Sequence, residues 1–387
     1  MPRLLIDVTR LLYRKWSGRL LTGIDRVGLE YVRHYRHGAQ AVVGVRGFSA
    51  VLPQSDSAAL FTQLVDSAFR ATPGAAWLIT KACLSAWNGQ DMAGSFFFHT
   101  AHSGLQHASF AAPLRRRGVR PIFVIHDLIP LSHPEYCRPG ERDRHLRRMR
   151  HALSLAHGLV ANSNDTLARL ETFASESRLR MPPAVVAHLA PGLPAIAPGP
   201  RPLEAPYFVV LGTIEPRKNH LLLLRVWRRL IERLGTAAPH LVIVGQRGWE
   251  CERVVDLLER AEWLRERVLE VATCSDAQLV TLLHHAQALL FPSFAEGFGL
   301  PLVEALSLGL PVIGSDLPVF REFAHEVPEY ADPLDGERWL ELITEYTDAA
   351  SSRRTAQLER IRRYRPPDWK QHLCAVDALL EKLDRTG

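Results

Sequence analysis

Two carboxylates with seven residues between them, Glu296 and Glu304, flank a turn that contains Gly297 and Gly299 and opens into a helix near Pro301. Proline in a first helical turn gives up nothing, because its missing N–H would have no intrahelical partner there. The unpaired N–H groups of that turn, around Phe298, Gly299 and Leu300, carry partial positive charge and suit a phosphate. Carboxylates beside an anion site repel phosphate, so Glu296 and Glu304 are better suited to hydroxyls. Phosphate together with hydroxyls describes a nucleotide sugar. A second element, Gly212-Thr213-Ile-Glu-Pro-Arg217-Lys218, follows a strand. A glycine there lets backbone approach a ligand closely. Arg217 and Lys218 add a planar fork and a point charge, the usual partners of phosphate. Alone, a basic pair ahead of a helix is commonly just solvated. Beside a helix N-terminus in the same half of the chain, it completes what a diphosphate needs.

The first half offers weaker signals. His126 ends the apolar run Pro121–Ile125. It is either a cleft residue or a hydrogen-bonded strand-end histidine without a chemical role. Thr22-Gly23-Ile-Asp25 precedes a helix, and Gly23 there also permits close approach to a phosphate. His99 and His102 follow a strand, but no carboxylate or cysteine completes a metal-ligand set there, so they read as cleft lining at best. His284 and His285 are adjacent on a helix and point apart, which is a structural pattern. No nucleophile-elbow, zinc-protease or Walker sequence occurs.

The elements that must position these residues are strands alternating with helices. In the first half, strands are expected at 3–7, 39–46, 95–99, 121–126, 158–162 and 184–188. Helices are expected at 24–36, 145–156 and 165–175, the last capped by Asn164. A proline-rich stretch, 191–206, resists helix and sheet and reads as a stiff linker. Beyond it, strands at 207–211, 240–244, 268–272, 288–291 and 311–314 alternate with helices at 220–234, 251–261, 275–286 and 301–308. A last helix spans 368–383. The division expected is 1–190, an acceptor-binding domain; 191–206, the linker; 207–366, a nucleotide-sugar-binding domain; and 367–387, a helix returning to the first domain. Alternation in both halves predicts an α/β protein with two doubly wound parallel sheets, each binding ligand at the carboxyl ends of its strands and facing the other across a cleft.

Bulk properties agree. The 387 residues exceed one ordinary core. No apolar run reaches the roughly 20 residues that span a bilayer. The N-terminal run predicts a first strand, not a signal peptide. Five cysteines (Cys83, Cys137, Cys251, Cys274, Cys374) lack any paired spacing, which disfavours a disulfide framework or zinc site and fits the cytoplasm. The net charge of +6 is uneven: residues 1–200 hold 24 Lys/Arg against 13 Asp/Glu, and the remainder 23 against 28. That bias reads either as solvated helix faces or as a surface for an anionic membrane. Nucleic acid is disfavoured, because the arginines are not interleaved with aromatics.

Glu296-Gly-Phe-Gly-Leu-Pro-Leu-Val-Glu304, with Phe291-Pro-Ser before it and Gly309-Leu-Pro-Val-Ile-Gly-Ser-Asp316 after it, resembles the hallmark of glycosyltransferase family 4. Gly212-Thr-Ile-Glu-Pro-Arg-Lys-Asn219, Val124-Ile-His-Asp-Leu-Ile-Pro130 and Ser275-Asp-Ala-Gln-Leu279 match in the same order. The resemblance implies the GT-B fold of two Rossmann-like domains, and a retaining, metal-independent transferase with no cofactor beyond its nucleotide-sugar substrate. By position, Glu296 would contact donor-sugar hydroxyls and Glu304 the ribose. Backbone N–H groups at Phe298, Gly299 and Leu300 would bind sugar hydroxyls and diphosphate. Lys218 would hold the diphosphate, and His126 would lie beside the transferred sugar. Many members carry arginine where this chain has Thr213, and Arg217 is the candidate substitute. The variant motifs resemble bacterial surface-polysaccharide mannosyltransferases. They imply a GDP- or UDP-linked donor, GDP-mannose first, a saccharide or lipid-linked acceptor, and a place on the inner face of the cell membrane. The alternatives are another GT-B enzyme (an epimerase or phosphorylase) or a non-catalytic sugar-nucleotide or polysaccharide-binding subunit. Lys218→Ala and Glu304→Ala are each expected to abolish transfer without unfolding.

Overall fold

A computed structural model describes residues 3–386, apart from 20, 46–47, 67–91, 108, 111–113 and 115. Cys83 lies outside the described residues; the other four cysteines are free thiols. The chain divides into two compact units. One comprises Met1–Leu131, Arg142–Leu189 and Asp368–Gly387, the other Ser132–Glu141 and Ala190–Pro367.

Among the described residues, the first unit's sheet has seven strands: β1 (Leu4–Asp7), β2 (Ala39–Val45), β3 (Phe48–Val51), β4 (Phe96–His99), β5 (Arg120–Ile125), β6 (Gly158–Ala161) and β7 (Ala184–Val186). Their order is β3-β2-β1-β4-β5-β6-β7. The apolar runs Phe96–Phe98 and Ile122–Ile125 are buried, as parallel strands covered on both faces require. One strand breaks the expected all-parallel pattern. β3 pairs antiparallel with β2, Val45 opposite Phe48. Only two residues separate them in sequence, too few for the crossover a parallel return needs.

The second unit's sheet has six strands, all parallel: β8 (Tyr207–Leu211), β9 (His240–Val244), β10 (Val268–Val271), β11 (Leu289–Phe291), β12 (Val312–Ser315) and β13 (Glu329–Ala331), in the order β10-β9-β8-β11-β12-β13. Helices His220–Leu234 and Gly336–Thr347 bury Trp227, Leu230, Trp339 and Tyr346 against β8, β9 and β12. Residues 191–206 form neither helix nor strand. They are anchored by Thr281 Oγ1, which accepts from the Gly199 N–H at 2.9 Å.

Local details refine the expected boundaries. Helix Asn164–Glu176 is capped by Ser163, not Asn164: the Ser163 hydroxyl accepts from the Thr166 N–H at 3.0 Å. A hydroxyl at that offset satisfies one of the first turn's unpaired donors. Ser275 caps helix Asp276–His285 in a capping box with Gln278. Helices Thr9–Trp16, Gln54–Val65, Ile129–Ser132, Pro318–Ala324, Gly336–Thr347 and Ser352–Arg363 lie outside the expected ones. The last helix, Trp369–Thr386, packs within the first unit. The Tyr31 hydroxyl meets His372 Nε2 at 3.0 Å, and the Tyr35 hydroxyl donates to Asp377 at 2.7 Å.

Candidate functional site

The order of the second sheet places β8 beside β11, so the chain segments leaving these two strands emerge at the same edge. Gly212 follows β8 with φ of 144°. A Cβ on the neighbouring Gly245 would sit 1.9 Å from the Gly212 carbonyl oxygen, so only glycine permits this contact. The chain then tightens into the turn Pro216–Lys218, and Asn219, in the left-handed region, starts helix His220–Leu234. The segment after β11 is tied to that turn by the Phe294 N–H, which donates to the Arg217 carbonyl at 2.9 Å.

This apposition builds a buried charge network. Lys218 Nζ donates to Glu296 Oε1 at 2.6 Å. An Arg217 terminal nitrogen lies 2.8 Å from Glu296 Oε2 and donates to the Ala295 carbonyl at 2.6 Å. The rest of the Arg217 fork grips Glu215 Oε1 at 2.8 and 3.1 Å. Lys218 Nζ also stands 4.8 Å above the Phe291 ring. Burial by itself would raise the Glu296 pKa, but the Arg217 and Lys218 cations overcome it and hold the carboxyl at about 2. Burial lowers Lys218, with Glu296 opposing, and raises Glu215, with Arg217 opposing. Glu296 is therefore a permanent hydrogen-bond acceptor at any physiological pH. Lys218 is a desolvated cation whose three N–H donors are not exhausted by one carboxylate oxygen.

Gly299 caps helix Leu300–Ser307 with φ of 106°. A Cβ there would meet Phe320 Cε1 at 2.5 Å. The Phe298 side chain turns into the core and stacks on Phe323, 4.5 Å between centroids. What Phe298, Gly299 and Leu300 can offer a ligand is thus backbone. Glu304, on the same helix, is buried, and its Oε1 accepts from the Gly192 N–H at 3.2 Å. Thr213 is exposed.

The structure therefore brings Gly212, Arg217, Lys218 and Glu296 together. Glu304 has a separate anchor. Arg217, the candidate to replace the arginine absent at Thr213, has its fork on Glu215, Glu296 and Ala295. Glu215 is the member of the network not anticipated, although its place two residues before Arg217 was in plain view. Replacing Lys218 would leave buried Glu296 with Arg217 as its cation, so some loss of stability is expected beside any loss of transfer.

In the first unit, His126 follows β5. Its Nε2 is 2.7 Å from the Thr100 carbonyl, and burial lowers its pKa. Gly23 is the first residue of helix Gly23–Tyr35. The N-terminus of that helix is already served by Asp25, which accepts from the Thr22 N–H at 2.7 Å and is paired with Arg10 and Arg14. Among the described residues, no group of three His, Cys, Asp or Glu could hold a metal ion, and no helix is long and apolar enough to cross a membrane.

Comparison with known proteins places this geometry in context. The family described as Glycosyl transferases group 1 matches residues 195–331. The chain is 31% identical over 243 residues to the serotype-specific mannosyltransferase WbdA of Escherichia coli, covering 59% of this chain and 30% of that protein. It is 30% identical over 233 residues to O-antigen chain mannosyltransferase B of Escherichia coli, covering 57% of this chain and 60% of that one. The chain thus spans less than two thirds of the length of these curated relatives. Among solved structures, Anabaena Alr3699/HepE in complex with UDP-glucose matches with a TM-score of 0.66 at 15% identity over 100% of both chains. That likeness is one of fold, and the fold is GT-B.

Proposed function

We propose, for a chain that carries a group 1 glycosyltransferase domain on a GT-B fold, that it is a retaining hexosyltransferase of polysaccharide biosynthesis. It takes mannose from GDP-mannose and passes it to a saccharide or lipid-linked saccharide. The observation that carries this reading is the Lys218–Glu296–Arg217 network at the β8/β11 edge. Ligands of doubly wound sheets bind where strand order reverses, and β8 and β11 are where it reverses here. Lys218 and the N-terminus of helix Leu300–Ser307 hold the diphosphate. Glu296 accepts from hydroxyls of the transferred sugar, and Glu304 from the ribose. Arg217 orients Glu296 through the bond it already makes. His126 is assigned to the transferred sugar, and Gly23 to the donor phosphates, on resemblance to family 4.

With Glu296 held at about 2 it has no proton to give, which argues against a general-acid role and leaves it only a weak base. The acceptor oxygen then attacks the anomeric carbon on the face from which the phosphate departs. The carbon–oxygen bond to phosphate breaks, and the acceptor proton passes to the departing phosphate oxygen. Lys218 and the helix N–H groups stabilise the charge that develops on the leaving diphosphate. The mannose assignment is supported by the activities of the curated relatives, which are mannosyltransferases, and no metal is assigned to the step.

The first unit is further proposed to lie against an anionic membrane surface. Tyr13 and Trp16 are 61% and 49% exposed on helix Thr9–Trp16, in the basic half of the chain. Incubation with GDP-mannose, UDP-glucose and UDP-N-acetylglucosamine, read as nucleoside diphosphate release, tests the donor: GDP-mannose alone should be consumed. With a mannoside acceptor present, consumption of none overturns the enzymatic reading, and interconversion without release points to an epimerase. Flotation with phosphatidylglycerol vesicles at low salt tests the surface, and absence of binding rejects it.

A further inference from the structure

The chain enters the second unit once before its linker. Ser132–Glu141 belongs to that unit, although the residues on either side of it belong to the first. This strap is held at two points. The Tyr136 ring stacks on Phe294, 4.9 Å between centroids and 5° from parallel, and Arg138 lies over the Trp249 ring, 4.8 Å from its centroid. Phe294 follows β11, Trp249 follows β9, and β8 lies between those strands. The outer two are about 10 Å apart at ordinary strand spacing. Tyr136 and Arg138, on alternate residues, cover that span with their side chains. The strap therefore crosses the end of β8, where Gly212, Thr213 and Lys218 leave the sheet.

The turn after β8 is tied to the segment that carries Trp249. The Ile214 N–H donates to the Gln246 carbonyl at 2.9 Å, and the Gly248 N–H to the Ile214 carbonyl at 3.0 Å. A Cβ on Gly248 would come within 2.7 Å of Thr213 Cγ2. Thr213 thus adjoins the residue before Trp249, on whose ring Arg138 lies. Charge gives this neighbourhood its meaning. Lys218 and Arg217 face Glu215 and Glu296, two cations against two carboxylates. That network has no surplus positive charge, whereas a nucleotide sugar brings a negative charge on each phosphate. Arg247, after β9, is paired with Glu259 and Glu270, and Arg321, after β12, with Asp316 and Glu326. Arg138 is exposed, and no carboxylate among the described residues pairs with it. A guanidinium on an exposed indole face is held only weakly, and its N–H fork matches phosphate oxygens.

We propose that Arg138 binds the diphosphate of the nucleotide-sugar donor, turning from the Trp249 face to set its fork on a phosphate beside the β8 turn. It supplies there the charge that Thr213 does not carry and that Arg217 has committed to carboxylates. Trp249 keeps the guanidinium at this edge until the donor arrives, and the stack of Tyr136 on Phe294 fixes the strap that delivers it. The inference rests on the glycosyltransferase reading above and adds to it a donor contact from a segment that precedes the linker.

The test titrates the full chain with GDP and with guanosine, followed by NMR; UDP and uridine take their place if the parent prefers uracil. Arg138→Met keeps a long side chain over Trp249 without the charge, and a melt like the parent's reports that it is folded. It should bind GDP roughly 10–100-fold more weakly, the worth of a charge-assisted hydrogen bond, and guanosine as the parent does. Added salt should weaken GDP less in this variant than in the parent. Arg138→Lys, with charge but no fork, should fall between them. Arg138→Met/Thr213→Arg returns a guanidinium to an exposed neighbouring position and should regain most of the lost affinity. Unchanged GDP binding in Arg138→Met overturns the proposal. Equal losses for GDP and guanosine also overturn it, by assigning Arg138 to the base, and a double variant no tighter than Arg138→Met overturns the placement beside Thr213. Should Arg138→Met fail to fold, Arg138→Gln replaces it in each comparison. Failure of the parent to bind either nucleotide would instead refute the donor reading itself.

Discussion

Lys218 and Glu296 form a pair whose removal can be followed in stability and in activity separately. Their side chains are 10% and 8% exposed and 2.6 Å apart. Lys218→Met keeps the length of the chain and deletes the charge, leaving Glu296 buried with only Arg217 as a cation. Breaking a buried pair from one side costs roughly 3–5 kcal/mol, and the remaining Arg217 contact places this case near 3. For a domain of this size that is a fall in Tm on the order of 6–12 °C. Lys218→Met/Glu296→Gln removes the stranded charge too. It should recover most of the loss, with a coupling energy of about 2 kcal/mol across the cycle. Transfer behaves otherwise. Lys218→Met should lower kcat roughly 10²–10³-fold by withdrawing a donor from the developing diphosphate charge, and the double variant should not regain it. Thermal melts of the four proteins, each with GDP release from GDP-mannose, provide the data. Additive stability losses would show that the two charges do not support one another. Restored transfer in the double variant would show that Lys218 acts only through Glu296.

Acid should expose the same network. The Glu296 carboxyl takes its proton near 4.5 in the unfolded chain and near 2 when folded. Between those values the unfolded chain binds the extra proton, so stability present above pH 4.5 falls as pH falls, by about 3 kcal/mol in all; Glu296→Gln should flatten this part of a urea-midpoint profile. Gly299→Ala should cost at least about 2 kcal/mol, since φ is 106° and its Cβ would overlap Phe320. It should also weaken GDP binding, seen by calorimetry, as the helix N-terminus shifts. Glu304→Ala should abolish measurable transfer while leaving a cooperative melt, since the Glu304 contact to Gly192 lies at a segment without regular structure.

Much of the architecture was legible because its signals are local. Apolar runs of four to six residues bounded by turns identified most strands, and helix His220–Leu234 begins and ends where its periodicity does. Two of the missed helices carry little apolar periodicity. Thr9–Trp16 is short and buries only Leu11 and Leu12, which leaves little periodicity to detect. Ser352–Arg363 is strongly charged and buries only Gln357 and Ile361. The Asn164 assignment failed by one residue, since both Ser163 and Asn164 are good caps and only backbone geometry separates them.

The chain's own residue order determined which groups were available: the glycine-bordered turn between Glu296 and Glu304, the basic pair Arg217–Lys218, and the strand-end histidines. Tertiary structure decided what each group faces. Lys218 and Glu296 are 78 residues apart, and Asp7 and His99 are 92 apart. Neither pair follows from any local period. Each exists because β8 lies against β11, and β1 against β4, so that residues leaving parallel neighbours meet at one carboxyl edge. Which strands become neighbours depends on burying both faces of each sheet at once, a condition that no single segment of the sequence contains.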